Sequence, residues 1–352
     1  MDKVKVAVIG CGTIANSAHL PSYAKNPKAE IVWVCDIIED RARAAMEKYG
    51  AQKMTLDYHD VLKDPSVQAV SICVHNWLHD KMAVEFLDAG KQVLCEKPAA
   101  VSYEKAVSMK QAADRNGKIL NIGVVNRFNT AVNKIKQMID AGELGKLYHI
   151  YCSFRAHRSI PGLGGQFTTK ATAGGGVLID WGVHFLDLIF YCIGGVKPVS
   201  ASGEAYSVLG RDMKDYAYTG MWAGPPDYSG KYDVEDFVTG FVRTSGPSVT
   251  LNGAWAQNIG ESAMFIEFMG DRGGIKLQYG GNFTYYTAKN GALLETKYDF
   301  TMGDMFYDEL DAFLDCAVSG EKIRSNIDNV LITANVMDAL YRSAAEKKEI
   351  LM

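Results

Sequence analysis

The chain has no Cys-x-x-Cys pair. Its seven cysteines (Cys11, Cys35, Cys73, Cys95, Cys152, Cys192, Cys316) are odd in number and widely spaced, which argues against a disulfide framework and for reduced thiols. The seven histidines form no cluster with neighbouring cysteines, so no metal site is expected. Basic residues are not in excess. Lys+Arg is 37 against Asp+Glu 41, a net charge of −4, which argues against a nucleic-acid binder with its basic stripe. A long uninterrupted apolar run is also missing. The best candidate, Val177 to Ile193, carries Asp180, His184 and Asp187 and falls short of the ~20 residues a membrane span needs, so it reads as a buried helix. No basic leader with a cleavage site precedes the first apolar run, and a cytoplasmic location is expected. Internal repeats and low-complexity tracts are absent.

What is present is the profile of a globular chain: 48% apolar and 22% charged residues over 352 positions. At ~100–200 residues per domain, the length calls for about two domains. The first third alternates. Short apolar runs at Val4–Ile9, Ile31–Cys35, Ala69–Val74, Gln92–Cys95 and Ile119–Gly123 are separated by helical stretches at Thr13–Ala24, Glu39–Tyr49, His79–Ala89 and Ser102–Arg115. Continuous apolar strands alternating with helices predict a parallel, doubly wound sheet that binds its ligand outside the carboxyl ends of the strands. After Gly123 the texture changes. Val124–Gly142 reads as helical, and Tyr148–Ala156 as a strand. Val199–Tyr298 holds several strand candidates joined by glycine turns, among them Phe237–Val242, Ser248–Asn252, Phe265–Phe268 and Gly274–Leu277. Phe306–Val318 and Val330–Lys347 read as closing helices. The expectation is α/β throughout: residues 1–123 as the nucleotide domain, and 124–352 as an α/β domain with a mostly antiparallel sheet, whose last helix is free to pack back on the first.

Gly10-Cys11-Gly12-Thr13-Ile14-Ala15 fits G-x-G-x-x-G/A between a predicted strand and a predicted helix. Gly10 makes the tight turn, Gly12 admits a pyrophosphate, Ala15 lets helix and strand pack, and the helix N-terminus offers N–H groups. Asp36, 24 residues after Gly12, ends the second strand. A carboxylate there accepts bonds from ribose hydroxyls and repels a 2′-phosphate, so NAD is expected over NADP, with Arg41 and Arg43 nearby as the groups that would accommodate that phosphate.

Two further groups carry chemistry. Glu96-Lys97-Pro98 follows the Gln92–Cys95 strand at the cofactor edge, where a lysine can hydrogen-bond or protonate a substrate oxygen. Asp180 and His184 lie four apart in an apolar helix after Gly174-Gly175-Gly176, on one helical face, as a proton-handling pair would. The three glycines read as allowing close backbone approach to a ligand. Arg155, His157 and Arg158 precede the Pro161–Gly165 loop and could bind hydroxyls or a carboxylate. The aromatics from Tyr206 to Tyr232 suit sugar faces or a subunit interface equally.

Taken together, the chain resembles the glucose–fructose oxidoreductase/inositol dehydrogenase/MocA (Gfo/Idh/MocA) family. The markers are Gly10–Ala15, Asp36, Asn76 with His79, Glu96-Lys97-Pro98, Asn126-Arg127-Phe128 and Gly176…Asp180…His184; His75 stands where a proline is frequent. The resemblance implies an N-terminal Rossmann domain and a C-terminal domain whose open sheet is often used for homo-oligomers, a dimer or tetramer. It implies hydride transfer between a nicotinamide cofactor and a sugar, glycoside, cyclitol or related polyol. It makes Lys97, Asp180 and His184 catalytic, with His184 the general base. It adds Asn76, His79, Glu96 and Asn126 to Gly10, Gly12, Thr13, Ile14, Asp36 and Lys97 as cofactor contacts. The alternatives are a glycosidase or lyase that uses tightly held NAD for transient oxidation, and a dinucleotide sensor without catalysis. The sensor has no need of the Lys97, Asp180 and His184 trio.

Overall fold

The computed structural model describes residues 2–352. The chain divides into two compact units, Met1–Phe128 with Gly303–Leu331, and Asn129–Met302 with Ile332–Met352. Gly303–Leu331, placed with the second domain by the sequence expectation, therefore groups with the first unit.

The first unit is built on a six-stranded parallel sheet: β1 (Val4–Ile9), β2 (Ala29–Cys35), β3 (Lys53–Thr55), β4 (Ala69–Ile72), β5 (Gln92–Glu96) and β6 (Leu120–Gly123), in the order β3-β2-β1-β4-β5-β6. This is the doubly wound dinucleotide-binding order, and its switch point falls between β1 and β4. Apart from Lys5, β1 and β4 are buried on both faces, which is why they read as largely apolar runs. Helix starts and stops obey local chemistry. Ser102 accepts the Lys105 N–H to cap Tyr103–Asn116, and Gly117 closes that helix in the left-handed conformation. The helix Met305–Ser319 contributes Leu310, Phe313, Leu314 and Cys316 to the core around Val4, Val6, Leu20 and Tyr23. Ion pairs of Lys25 with Asp304, and of Lys28 with Asp311 and Asp315, fasten its outer side.

The second unit holds a nine-stranded sheet. Its strands are β7 (Leu147–Arg155), β8 (Pro198–Tyr206), β9 (Phe237–Thr244), β10 (Ser248–Ala254), β11 (Ala263–Gly270), β12 (Gly273–Gln278), β13 (Phe283–Lys289), β14 (Ala292–Lys297) and β15 (Ile350–Leu351). They run in the order β14-β13-β12-β11-β7-β10-β9-β8-β15, antiparallel except for the β7–β10 pair. Thr130–Asp140 and Val183–Ile193 pack their apolar faces into the core of this unit with Ile150, Phe154, Leu251 and Trp255. The helical segment Lys170–Ile193 is long and apolar enough to cross a membrane by length and composition, yet 72% of its apolar window is buried inside the protein, as a core helix requires. All seven cysteines are buried reduced thiols.

Candidate active site

In the first unit the turn after β1 is held by its own chain. Gly10 has φ +90°, and a Cβ there would stand 2.3 Å from the Cys73 carbonyl oxygen, so only glycine can pass beneath β4's exit. The Cys11 N–H donates to Asp36 Oδ2 at 2.8 Å, and the Ile38 N–H to Oδ1 at 2.8 Å. Asp36 thus ties the phosphate turn to the end of β2, and each oxygen keeps a second lone pair. Ile37 beside it is 87% exposed, an apolar surface suited to a purine. Arg43 is engaged by Glu39, one helical turn earlier.

Gly12 differs from Gly10. A Cβ on Gly12 would meet nothing within 4 Å, so the chain's own packing does not require glycine there. The open approach fits a group laid against the backbone. Gly12, Thr13 and Ile14 sit in the first turn of the helix, where N–H groups lack intrahelical acceptors. The donor set, the open turn and the ribose-reading carboxylate fit a dinucleotide pyrophosphate and adenosine.

The helix then widens into a π-turn at Ala15–His19. Such turns are rare and cluster at functional positions. Its last residue, His19, is buried and bonds Glu96 Oε1 through Nε2 at 2.9 Å. Glu96 Oε2 accepts the Lys97 N–H at 3.1 Å. Burial pushes the Glu96 carboxyl up. The His19 bond, the nearby charges of His19 and Lys97 and the Lys97 N–H outweigh it and hold the group below its ordinary value. A lowered carboxyl stabilises the fold at neutral pH, and that contribution is lost as acid protonates it. Lys97 itself is half-buried after β5, with a cis bond to Pro98.

Two of the expected cofactor contacts lie among the chain's own groups. The Glu96 carboxylate is buried and turned onto His19. His79 is fully buried; its Nδ1 lies 2.7 Å from the Pro98 carbonyl and its Nε2 3.0 Å from the Val74 carbonyl. Lying between these two carbonyls, the ring bridges the two loops that flank the cofactor edge. Asn76 opens a 3₁₀ turn, Asn76–Leu78, half-buried, and Asn126 is buried in the turn Val125–Phe128.

In the second unit, Asp180 lies in a second π-turn, Leu178–Gly182, which runs directly into Val183–Ile193. Asp180 is 8% exposed and His184 half-buried, one turn further along the same face. The His184 ring stands 6.4 Å from that of Tyr279, and Tyr279 in turn stacks on Phe185. The glycines before the pair serve a different purpose from the one expected. A Cβ on Gly175 would sit 2.1 Å from the Tyr341 hydroxyl, and one on Gly176 1.9 Å from the Glu235 carbonyl oxygen. They admit this chain's own groups, not a ligand. Glu235 is the reason. Its buried carboxylate accepts the Gly176 N–H at 2.8 Å, the Leu178 N–H at 3.0 Å and the Tyr341 hydroxyl at 2.8 Å. It caps the start of the segment that carries Asp180, where a helix end prefers negative charge. Burial pushes its carboxyl up, against the pull of those three bonds.

Arg155 is half-buried on β7, its Nε on Ser153 Oγ at 3.0 Å, and His157 is exposed. Arg158 donates to the carbonyls of His157 and Gln257 and to Asn258 Oδ1, which commits its guanidinium to holding the 255–258 segment. His19, Glu235 and Tyr341 escaped the sequence reading. His19 alone had a signal there, a histidine four places past Ala15 on the motif helix.

The fold and its turn are those of an NAD-binding oxidoreductase. The chain belongs to the Gfo/Idh/MocA family: residues 4–124 match the model described as oxidoreductase family, NAD-binding Rossmann fold, and residues 132–276 match the GFO/IDH/MocA C-terminal domain. It is 30% identical over 344 residues to the D-glucoside 3-dehydrogenase of Escherichia coli K12, covering 97% of this chain and 95% of that one. It is 38% identical over 146 residues to the inositol 2-dehydrogenase of Salmonella typhimurium, 41% of this chain and 43% of the other. Levoglucosan dehydrogenase in complex with NADH and levoglucosan has the same fold, at a TM-score of 0.87, with 99% of each chain covered and 19% identity.

Proposed function

We propose that this enzyme oxidises a secondary hydroxyl of a sugar, with D-glucosides ahead of free cyclitols, and passes the hydride to NAD. The observation that carries the reading is the Asp180–His184 pair, one turn apart on a helix start locked by Glu235. The chemistry agrees with it. Positioned proton transfer contributes on the order of 10²–10⁴-fold to such a reaction. NAD, when bound, supplies the hydride acceptor. His184 takes the hydroxyl proton, Asp180 orients the imidazole and favours its charged form, and Lys97 donates to the reacting oxygen. Arg155 and His157 are the proposed contacts to the remaining hydroxyls. The preference for glucosides rests on the near full-length similarity to D-glucoside 3-dehydrogenase, whereas the inositol dehydrogenase similarity spans less than half of either chain. A homo-oligomer belongs to the same proposal: β14 leaves Leu293 90% exposed at the edge of its sheet, a surface that lone chains usually protect.

The test is a panel of glucosides, free hexoses and inositols with NAD and NADP, followed by reduced-nicotinamide absorbance. Turnover of a glucoside with NAD is expected. Glycoside cleavage with no net NADH would replace the dehydrogenase by the transient-oxidation alternative. Asp36→Ala should raise the NAD dissociation constant by about 10-fold, one charged hydrogen bond's worth, and raise the NADP-to-NAD selectivity ratio as the like charge is removed. An unchanged ratio would remove Asp36 from cofactor choice.

A further inference from the structure

The proposed chemistry makes no use of His19 or of the Glu96 carboxylate, yet the first unit is arranged around both. Glu96 ends β5 opposite Gly123 on β6. A Cβ at 123 would stand 2.9 Å from Oε1 and 3.0 Å from Cδ, so a side chain there would evict the carboxylate. His19 reaches it from the end of the π-turn that follows the phosphate-binding glycines. The ring is 1% exposed, and its Nδ1 has no hydrogen-bond partner among the described residues, so Glu96 is the one polar compensation for its burial. The second carboxylate oxygen holds the Lys97 N–H, while the Pro98 carbonyl is held by His79. The backbone of Lys97 is thus gripped on both sides while its side chain stays half-exposed.

We propose that His19 is a positioning residue for the reaction, which fixes the Glu96 carboxylate so that Glu96 and His79 together aim Lys97. This rests on Lys97 acting at the reacting oxygen, as proposed above. The groups facing Glu96 are His19 from the motif helix, Lys97 beside it, His79 from the next helix, and the thiols of Cys73 and Cys95. His19 and Lys97 are the members that favour the ionised carboxylate.

The test uses the full chain with His19→Leu, which removes the N–H, and His19→Gln, which keeps a donor at similar reach. Three readouts apply: kcat and KM on the best panel substrate, NADH affinity, and the ¹³C resonance of reductively methylated Lys97. His19→Leu should lower kcat by about 10–100-fold while the NADH dissociation constant stays within about 2-fold, and it should shift the Lys97 resonance; His19→Gln should restore most of both. A folded His19→Leu with wild-type kcat and an unmoved resonance overturns the proposal. So does a loss of NADH affinity as large as the loss of kcat, which would make His19 a shaper of the phosphate turn alone. If His19→Leu does not fold, Glu96→Gln carries the same expectations and the same refutation. If the wild type turns over nothing in the panel, the dehydrogenase reading fails, and the Lys97 resonance still decides the role of His19.

Discussion

His184→Ala should lower kcat by about 10²–10⁴-fold and leave NADH binding unchanged. The two halves of this expectation come from different parts of the chain. His184 rides on the second unit's helix, whereas the phosphate turn, Asp36 and the open approach at Gly12 are built wholly within the first. Steady-state kinetics with fluorescence titration of NADH checks both. Wild-type turnover in a folded His184→Ala would end the assignment of this residue as base. A fall in NADH affinity matching the loss of kcat would mean that the residue serves binding, not proton transfer.

Gly176→Ala should destabilise the second unit by about 3 kcal/mol, because overpacking and broken buried bonds combine. Its Cβ would stand 1.9 Å from the Glu235 carbonyl oxygen and 2.9 Å from the carbonyl carbon, and backbone cannot swing aside as a side-chain tip can. Relieving the clash pulls Gly176 N from Glu235 Oε2 and Val177 N from the Glu235 carbonyl, the bonds that start the Asp180 helix. Calorimetry should show the second unit melting earlier, and turnover should fall with it. Gly12→Ala is the counterpart. Its Cβ meets nothing, so melting should be unchanged while NADH affinity drops. If Gly176→Ala melts like the wild type, the packing of the Glu235 loop against this helix has been misjudged.

The first unit was readable because its central strands are largely buried on both faces, and burial writes itself as runs of Val, Ile and Ala that only Lys5 and Ser71 interrupt. The exception was β3, three residues at the sheet edge that are half-buried or exposed and carry no apolar run. In the second unit β8 went unread, because its Ser-Ala-Ser-Gly stretch carries no apolar run, with Gly203 fitted under Leu340. β14 went unread because all six of its residues are exposed. The candidate site was legible where one segment carries the chemistry, as at Gly10–Ala15 or Asp180…His184. It was illegible where the partner is remote. Nothing in Gly174-Gly175-Gly176 says that the atoms filling the space are a tyrosine at 341 and a glutamate at 235. Nor does Glu96 announce that its carboxylate meets a histidine 77 positions back.

The burial of the cysteines has a practical consequence. Desolvation pushes the thiols of Cys11 and Cys35 up to about 12 and that of Cys316 to about 11, and drives Cys73 and Cys95 well above their ordinary value. Thiolate, the nucleophilic form, is therefore scarce at neutral pH, and the sulfurs are shielded from reagents. The native protein is accordingly a quiet background for maleimide chemistry. One cysteine introduced on an exposed strand such as β14 would take a spin label or fluorophore while the seven native thiols stayed in place.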